Sequence, residues 1–297
     1  MENIYRLGID LGGTKIEGII LDGNGQELFR ERIATEREKG YQHILSNIHQ
    51  MYQTMTAHIG EQAHTFGIGT PGAVSRKTGL LKNSNTVCMN GQPLKEDLEA
   101  LLQHSVAIQN DANCFAMAEA LLGAGKGNKL VFGVIMGTGC GGGIVFDEKV
   151  LTGLQSIGGE WGHMSIDPNG PLCYCGDKGC TESYISGGGA EILYESIYQQ
   201  KLKLKEIVAN YRLSETKAVE FMQQFFVNFG RAMSNLINIL DPDIIVIGGG
   251  VSNIPELYTE GVEQVRQHVF SDSLETPIVQ HHLGDSAGVI GAALIGI

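Results

Sequence analysis

The chain has 297 residues, with 33 acidic against 21 basic and a formal charge of −12. That length exceeds the usual domain size of roughly 100 to 150 residues and predicts two α/β domains, each with its own core. The charge argues against a nucleic-acid surface, which needs clustered Lys and Arg to neutralise phosphate, and no apolar run reaches the roughly 18 to 20 residues that span a bilayer.

The chain enters directly on a strand pattern at Met1-Glu2-Asn3-Ile4-Tyr5-Arg6, with no basic and apolar leader, so a cytoplasmic location without a membrane partner is expected. Residues 4 to 33 hold three short alternating runs, Leu7, Ile9 and Leu11 in the first, divided by Gly12-Gly13-Thr14 and Asp22-Gly23-Asn24-Gly25. They predict an antiparallel meander. Ile44, Ile48, Met51, Met55 and Ile59 recur at helical spacing. A strand over 66–69 ends at Pro71-Gly72, a short helix covers 94–102, a strand 105–109, and a helix 112–122, so Asn110-Asp111 lies at a strand-to-helix junction.

A second round opens with a strand over 130–136, a turn over Gly137 to Gly143 and a strand over 144–146, which repeats the start of the chain and predicts a duplicated unit. Helices are expected at 188–200, 216–240 and 255–269, with a buried strand at 243–247. The domains are expected to divide near residue 118: 1–118 smaller and N-terminal, 119–285 larger and carrying a metal motif at 163–180, with a helix at 286–297 that returns to the first.

Asp10-Leu11-Gly12-Gly13-Thr14-Lys15 puts a carboxylate at a strand end, two glycines beyond it, then a hydroxyl and a cation. Those groups suit a magnesium-bound triphosphate; a plain hairpin turn has the same make-up. Gly137-Thr138-Gly139 repeats the pattern. Gly67 to Gly72 and Gly137 to Gly142 both satisfy the spacing of a dinucleotide fingerprint, but Pro71 interrupts the first and a strand follows the second. Asp111 reads either as a helix N-cap or as a carboxylate that accepts the proton of an attacking hydroxyl.

Glu160-Trp161-Gly162-His163 precedes Cys173-Tyr174-Cys175 and Cys180-Thr181-Glu182. One His and three Cys make a closed set of four nitrogen and sulfur ligands, the number a structural zinc takes. Redox pairing or ordinary buried thiols are the other readings. Glu160 and Glu182 flank the ligands and are candidate acceptors for sugar hydroxyls. The strand ending in Gly248, Gly249 and Gly250 lets a flat ligand approach the backbone, or marks a sharp turn, and Gly284 to Gly288 is expected to cap a helix.

These stretches, with Gly69-Thr70-Pro71-Gly72 and Asp241 to Gly250, together resemble the ROK family of bacterial sugar kinases over nearly the whole chain. The resemblance implies an actin-like, ribonuclease H-like two-domain fold with an interdomain cleft and a zinc-binding segment, and a homodimer. It implies Asp111 as catalytic base, and Gly69, Asn110, Asp111, Glu160, His163 and Glu182 as sugar ligands. Asp10, Gly12, Gly13, Thr14, Lys15, Gly137, Thr138 and Gly139 would hold Mg2+ and the ATP phosphates, and Gly248, Gly249 and Gly250 the adenosine. His163, Cys173, Cys175 and Cys180 would hold a structural Zn2+. Lys82 to Thr86, Asn90 to Leu94 and Cys173 to Gly176 look most like fructokinases, with Val87-Cys88-Met89 as a departure at the pocket rim. Kinases for N-acetylglucosamine, N-acetylmannosamine or glucose share most of these motifs. A ROK-type sugar-sensing protein is the non-kinase reading; its regulator form adds a DNA-binding module for which the sequence before Asp10 has no room.

Overall fold

The structure, a computed structural model, describes residues 4–60 and 62–296. Met1 to Asn3, part of the opening read above for a leader, lie outside them, as does Ile297 of the predicted last helix. The chain forms two compact units. The first comprises the chain up to Lys126, Gly143–Gly158 and the stretch from Leu283 on; the second comprises Gly127–Gly142 and Gly159–His282.

The first unit begins with the expected meander of β1 (Tyr5–Leu11), β2 (Lys15–Leu21) and β3 (Glu27–Ala34), antiparallel in sequence. After α1 (Tyr41–Ile59) the chain adds β4 (His64–Thr70), a ribbon of β5 (Ala73–Val74) with β6 (Leu81–Lys82), α2 (Leu94–Leu102), β7 (Ala107–Asn110) and α3 (Asp111–Leu121). β4 runs parallel to both β1 and β7, giving a sheet of order β3-β2-β1-β4-β7. Strand side chains alternate between faces. Leu7, Ile9, Leu11, Ile16 and Ile20 bury one face against Ile44, Ile48, Met51 and Met55 of α1.

On the other face β1 and β4 carry Gly8 and Gly67 side by side, and the last helix, α9 (Ala287–Leu294), lies on them. A Cβ on Gly8 would sit 2.3 Å from the Ala293 nitrogen, and one on Gly67 would sit 2.0 Å from the Ala292 carbonyl oxygen. Asp10, two residues beyond Gly8 on β1, therefore points to this same face.

The second unit's strands are β8 (Leu130–Met136), β11 (Ile244–Gly248) and β12 (Ile278–Gln280), with β11 parallel to both neighbours. With β9 (Cys140–Phe146) and β10 (Lys149–Val150) the sheet order is β10-β9-β8-β11-β12, the pattern of the first sheet repeated. β11 is buried along its whole length, as a strand covered on both faces must be. Its helices are α4 (Glu182–Ile185), α5 (Gly187–Tyr198), α6 (Leu204–Arg212), α7 (Thr216–Leu240) and α8 (Glu260–His268). α7 stops at Asp241, which adopts the left-handed conformation (φ 43°) just before Pro242, a residue that cannot continue the helix.

The predicted turn over Gly137 to Gly143 is shorter in the structure, because β9 already starts at Cys140. Gly142 and Gly143 are strand residues whose missing side chains make room for neighbours. A Cβ on Gly142 would lie 2.6 Å from Trp161 Cδ1, and one on Gly143 would lie 2.7 Å from the Ala112 carbonyl oxygen.

Candidate functional site

In the first unit the parallel strands β1, β4 and β7 end together. Asp10 is in register with Gly69, and Gly69 with Gln109, while Thr70 pairs with Asn110. The carboxyl ends of parallel strands are where open α/β sheets bind ligands. The structure thus brings Asp10, Gly69, Asn110 and Asp111 to one edge. Gly69 is buried within β4, and a Cβ there would sit 3.0 Å from Cys114 Sγ, so close approach of α3 by itself favours glycine.

The capping role considered for Asp111 falls mainly to its neighbour. Asn110 has extended backbone (φ −63°, ψ 150°) and is the N-cap of α3; its Oδ1 accepts the Ala112 N–H at 2.8 Å. Its amide also donates to the Gly72 carbonyl at 3.1 Å, which fixes the turn after β4. Asp111, the first residue of the helix, is exposed, and its Oδ1 also accepts the Ala112 N–H at 2.8 Å. Asn110 orients the junction while Asp111 presents a carboxyl at its tip.

Asp10 is half-buried, and its carboxyl is pushed up to about 6, first by burial and then by the negative charges of Asp111 and Glu17, with Lys15 and Arg32 opposing. Glu17 was not foreseen. It stands in register with Asp10 on β2, is 1% exposed, and is held by Arg32 at 2.8 Å and Arg30 at 3.3 Å. A signal existed: it is the one acid in a strand otherwise built of Ile, Leu, Gly and a terminal Lys. Gly288, at the start of α9, is also part of this edge, since a Cβ there would sit 3.2 Å from Asp10 Oδ2. The expected capping by residues 284–288 is not made by Ser286, whose hydroxyl pairs with Arg30 instead of a helix N–H.

Gly12 donates its N–H to the Lys15 carbonyl at 2.9 Å, closing the β1–β2 turn, with Gly13 and Thr14 between them and Lys15 exposed at the start of β2. The loop assigned to the pocket rim is braced by Asn90, whose side chain accepts from Ser84 N–H and donates to Ser84 C=O, both at 2.8 Å. In the departing segment Met89 is fully buried while Val87 is 78% exposed, so only one of the two faces outward.

In the second unit the turn Gly137-Thr138-Gly139 is held by the start of α5. Gly187 N–H donates to Gly137 C=O at 2.7 Å and Gly188 N–H to Thr138 C=O at 3.1 Å, with Ser186 as N-cap. Glu182 accepts the Cys140 N–H at 2.8 Å, placing this candidate sugar ligand against the candidate phosphate turn. Gly249 (φ 79°) approaches the same strand end; a Cβ on it would sit 2.4 Å from the Met136 carbonyl oxygen. Gly248 closes β11 and Gly250 opens the short turn that follows.

Glu160 precedes a single helical turn at Trp161–His163, anchored by Trp161 Nε1 donating to the Gly141 carbonyl at 3.0 Å. That turn aims His163 at the cysteines. The ligand atoms of His163, Cys173, Cys175 and Cys180 lie within 4.8 Å of one another. Cys173 Sγ is 3.7 Å from His163 Nδ1, and Cys175 Sγ is 3.6 Å from Cys180 Sγ. A tetrahedron with metal–sulfur bonds of about 2.3 Å has edges of about 3.8 Å, so these donors fit a zinc ion. The other imidazole nitrogen, Nε2, is 3.1 Å from the Tyr174 hydroxyl.

The pattern of the ROK family matches residues 6–296. An N-acetyl-D-glucosamine kinase of Yersinia enterocolitica serotype O:8 / biotype 1B is 37% identical over 298 residues, 97% of this chain and 98% of its own. Among solved structures, a ROK hexokinase from Thermus thermophilus has a TM-score of 0.90 at 31% identity, covering 99% of this chain and 98% of its own. A ROK family glucokinase from Streptomyces griseus, in complex with glucose and AMPPNP, has a TM-score of 0.77 at 27% identity, covering 98% and 99%. With the duplicated sheets and the shared strand-end site already in place, a match running from residue 6 to residue 296 shows that the chain belongs to the ROK family.

Proposed function

We propose that this protein is an ATP-dependent sugar kinase in which Asp111 accepts the proton of a hexose hydroxyl as that oxygen attacks the terminal phosphorus. The observation that carries the reading is the placement of Asp111: an exposed carboxyl at the end of a parallel strand, on a junction capped by Asn110, at the same edge as Asp10. In a loose phosphoryl-transfer transition state, placement and charge stabilisation outweigh proton abstraction, so a rigidly mounted carboxylate is what the chemistry needs. Asn110, Gly69, Glu160, His163 and Glu182 are assigned to the sugar. Asp10, Gly12, Gly13, Thr14, Lys15 and Gly137 to Gly139 are assigned to Mg-ATP, and Gly248 to Gly250 to the adenosine.

The donor chemistry fits both metals. Asp10 and Asp111 raise each other's electrostatic cost, which a divalent cation held near Asp10 would relieve. Mg2+ bound there would neutralise charge on the phosphates. The His163 and cysteine set would hold Zn2+ and lock the segment that carries Glu160 and Glu182. Use of ATP is supported by the glucokinase relative with bound AMPPNP. The cytoplasm is the proposed location, in keeping with the cysteines of the described residues being unpaired in disulfides; no helix there is long and apolar enough to cross a membrane. The homodimer rests on the family alone.

Two sugars lead. N-acetyl-D-glucosamine is supported by whole-chain similarity to kinases of that name. D-fructose, yielding fructose 6-phosphate, rests on the segments 82–86, 90–94 and 173–176, and the comparisons lend it no support of their own. A coupled ADP-release assay over N-acetylglucosamine, fructose, N-acetylmannosamine, mannose and glucose, ranked by kcat/KM, decides between them. Turnover with none of these sugars would sink the kinase reading in favour of a sugar-sensing protein.

A further inference from the structure

Glu119 is an ionisable side chain with 0% exposure, on α3 eight residues beyond Asp111, and the chemistry above gives it no task. A carboxylate survives such burial only when its oxygens are hydrogen-bonded. Oε2 accepts the Ala124 N–H at 2.8 Å, and Oε1 accepts the Leu283 N–H at 2.9 Å. Its main-chain carbonyl accepts two more N–H groups, from Gly123 at 3.2 Å and Gly125 at 2.9 Å. Gly123 has to be glycine for this to happen, because a Cβ there would lie 2.1 Å from Oε2.

The two residues that Glu119 grips have a special place in the chain. The polypeptide first passes out of the first unit after Lys126, re-enters it for Gly143–Gly158, and comes back into it for the last time at Leu283. Ala124 belongs to the outgoing stretch, and Leu283 is the first residue of the returning one. One carboxylate therefore ties the first outgoing link to the last returning link at the C-terminal end of the helix whose first residue is Asp111. We propose that Glu119 is a positioning residue that clasps these two links, so that α3 and both links move as one piece during turnover.

A purely local carboxylate offers the comparison. Glu99 Oε1 accepts the Val106 N–H at 3.1 Å, in a loop far in sequence from either link. Gln at position 119 keeps the shape but turns one acceptor into a donor, so one of the two links loses its partner. Ala releases both.

The test uses the full chain with Glu119→Gln, Glu119→Ala and Glu99→Gln. Amide exchange without ligand is read at Ala124 and Leu283, and kcat is expressed per sugar-binding site counted by calorimetry. The expected result is exchange about tenfold or more faster at one of the two amides in E119Q and at both in E119A. In E119Q, kcat per site falls by about tenfold or more while sugar Kd and ATP KM stay within about threefold, because misplacement costs turnover before it costs binding. E99Q alters neither exchange at the links nor kcat. Unchanged exchange at both amides in E119Q, or faster exchange with kcat per site unaltered, overturns the clasp. The kinetic arm rests on the kinase reading; should the wild-type chain phosphorylate no sugar, that reading fails while the exchange arm still decides whether Glu119 holds the links.

Discussion

Asp10 and Asp111 differ in what surrounds them, and that difference makes separate predictions. Asp111 is exposed at a helix start, so Asn in its place keeps size and hydrogen bonding while removing the carboxylate proposed as proton acceptor. Asp111→Asn is expected to lower kcat by about 10² or more with sugar affinity, measured by calorimetry, within a few-fold of wild type. Asp10 has its folded-state pKa raised from 3.8 to about 6 by burial and then by Asp111 and Glu17. Between those two values the folded chain binds a proton that the unfolded chain has released, so this group favours folding fully below about 4 and loses its contribution as pH rises through about 6. Metal-free Asp10→Asn should therefore melt higher than wild type at pH 7, by at most about 3 kcal/mol and less where water reaches the half-buried carboxyl. The gain should vanish near pH 4. Melting curves across that range check it, and a gain that persists at pH 4 would assign the effect to something other than charge.

Elements were legible where pattern and length agreed. Five apolar residues at helical spacing announced α1, and the long stripe of α7 was read to its ends because apolar face and Pro stop coincide. α6 went unread although Leu204, Ile207 and Val208 have helical spacing, since nine residues between two longer helices give too few turns to stand out. β12 has three residues and is fixed by pairing with β11, a partner more than thirty positions away that no local pattern shows. Glycine misled in β9, where it signals close packing of Trp161 and α3 and not a bend. The convergence of His163, Cys173, Cys175 and Cys180 was readable from residue type and spacing, whereas Glu17, Gly288 and Glu119 are placed by register and long-range contact. The donor set predicts about one zinc per chain by elemental analysis. A strong chelator, or Cys180→Ser, should lower Tm and loosen residues 160–182, because metal binding and local folding are the same free energy in such a segment. Metal-free protein with unaltered melting would refute the zinc site.

At the scale of the whole molecule the chain order matters more than any single contact. The first unit is assembled from three separate stretches, and the last of them, α9, supplies the surface on which β1 and β4 close their glycine-lined face. Ala287, Val289, Ala292, Ala293 and Leu294 are all buried there. The sheet of this unit therefore cannot complete its core until residues 287–294 have been made, and such sequence-distant pairing is slow to form. α9 also brings Gly288 so near Asp10 that a Cβ on it would sit 3.2 Å from Oδ2, so the Asp10 carboxylate and this helix are set by one packing event. The second unit draws on residues 127–142 and 159–282 and needs nothing from α9 for its own strands β8, β11 and β12. A chain ended at His282 is accordingly expected to keep a protease-resistant fragment from the second unit while residues up to Lys126 are cleaved, and to lose nucleotide-dependent stabilisation entirely. Limited proteolysis read by mass spectrometry, with the full chain alongside, makes the comparison. Equal protection of residues 5–121 in both chains would mean that the sheet holds its fold with that face uncovered, and that α9 is a consequence of the first unit's core and not a condition for it.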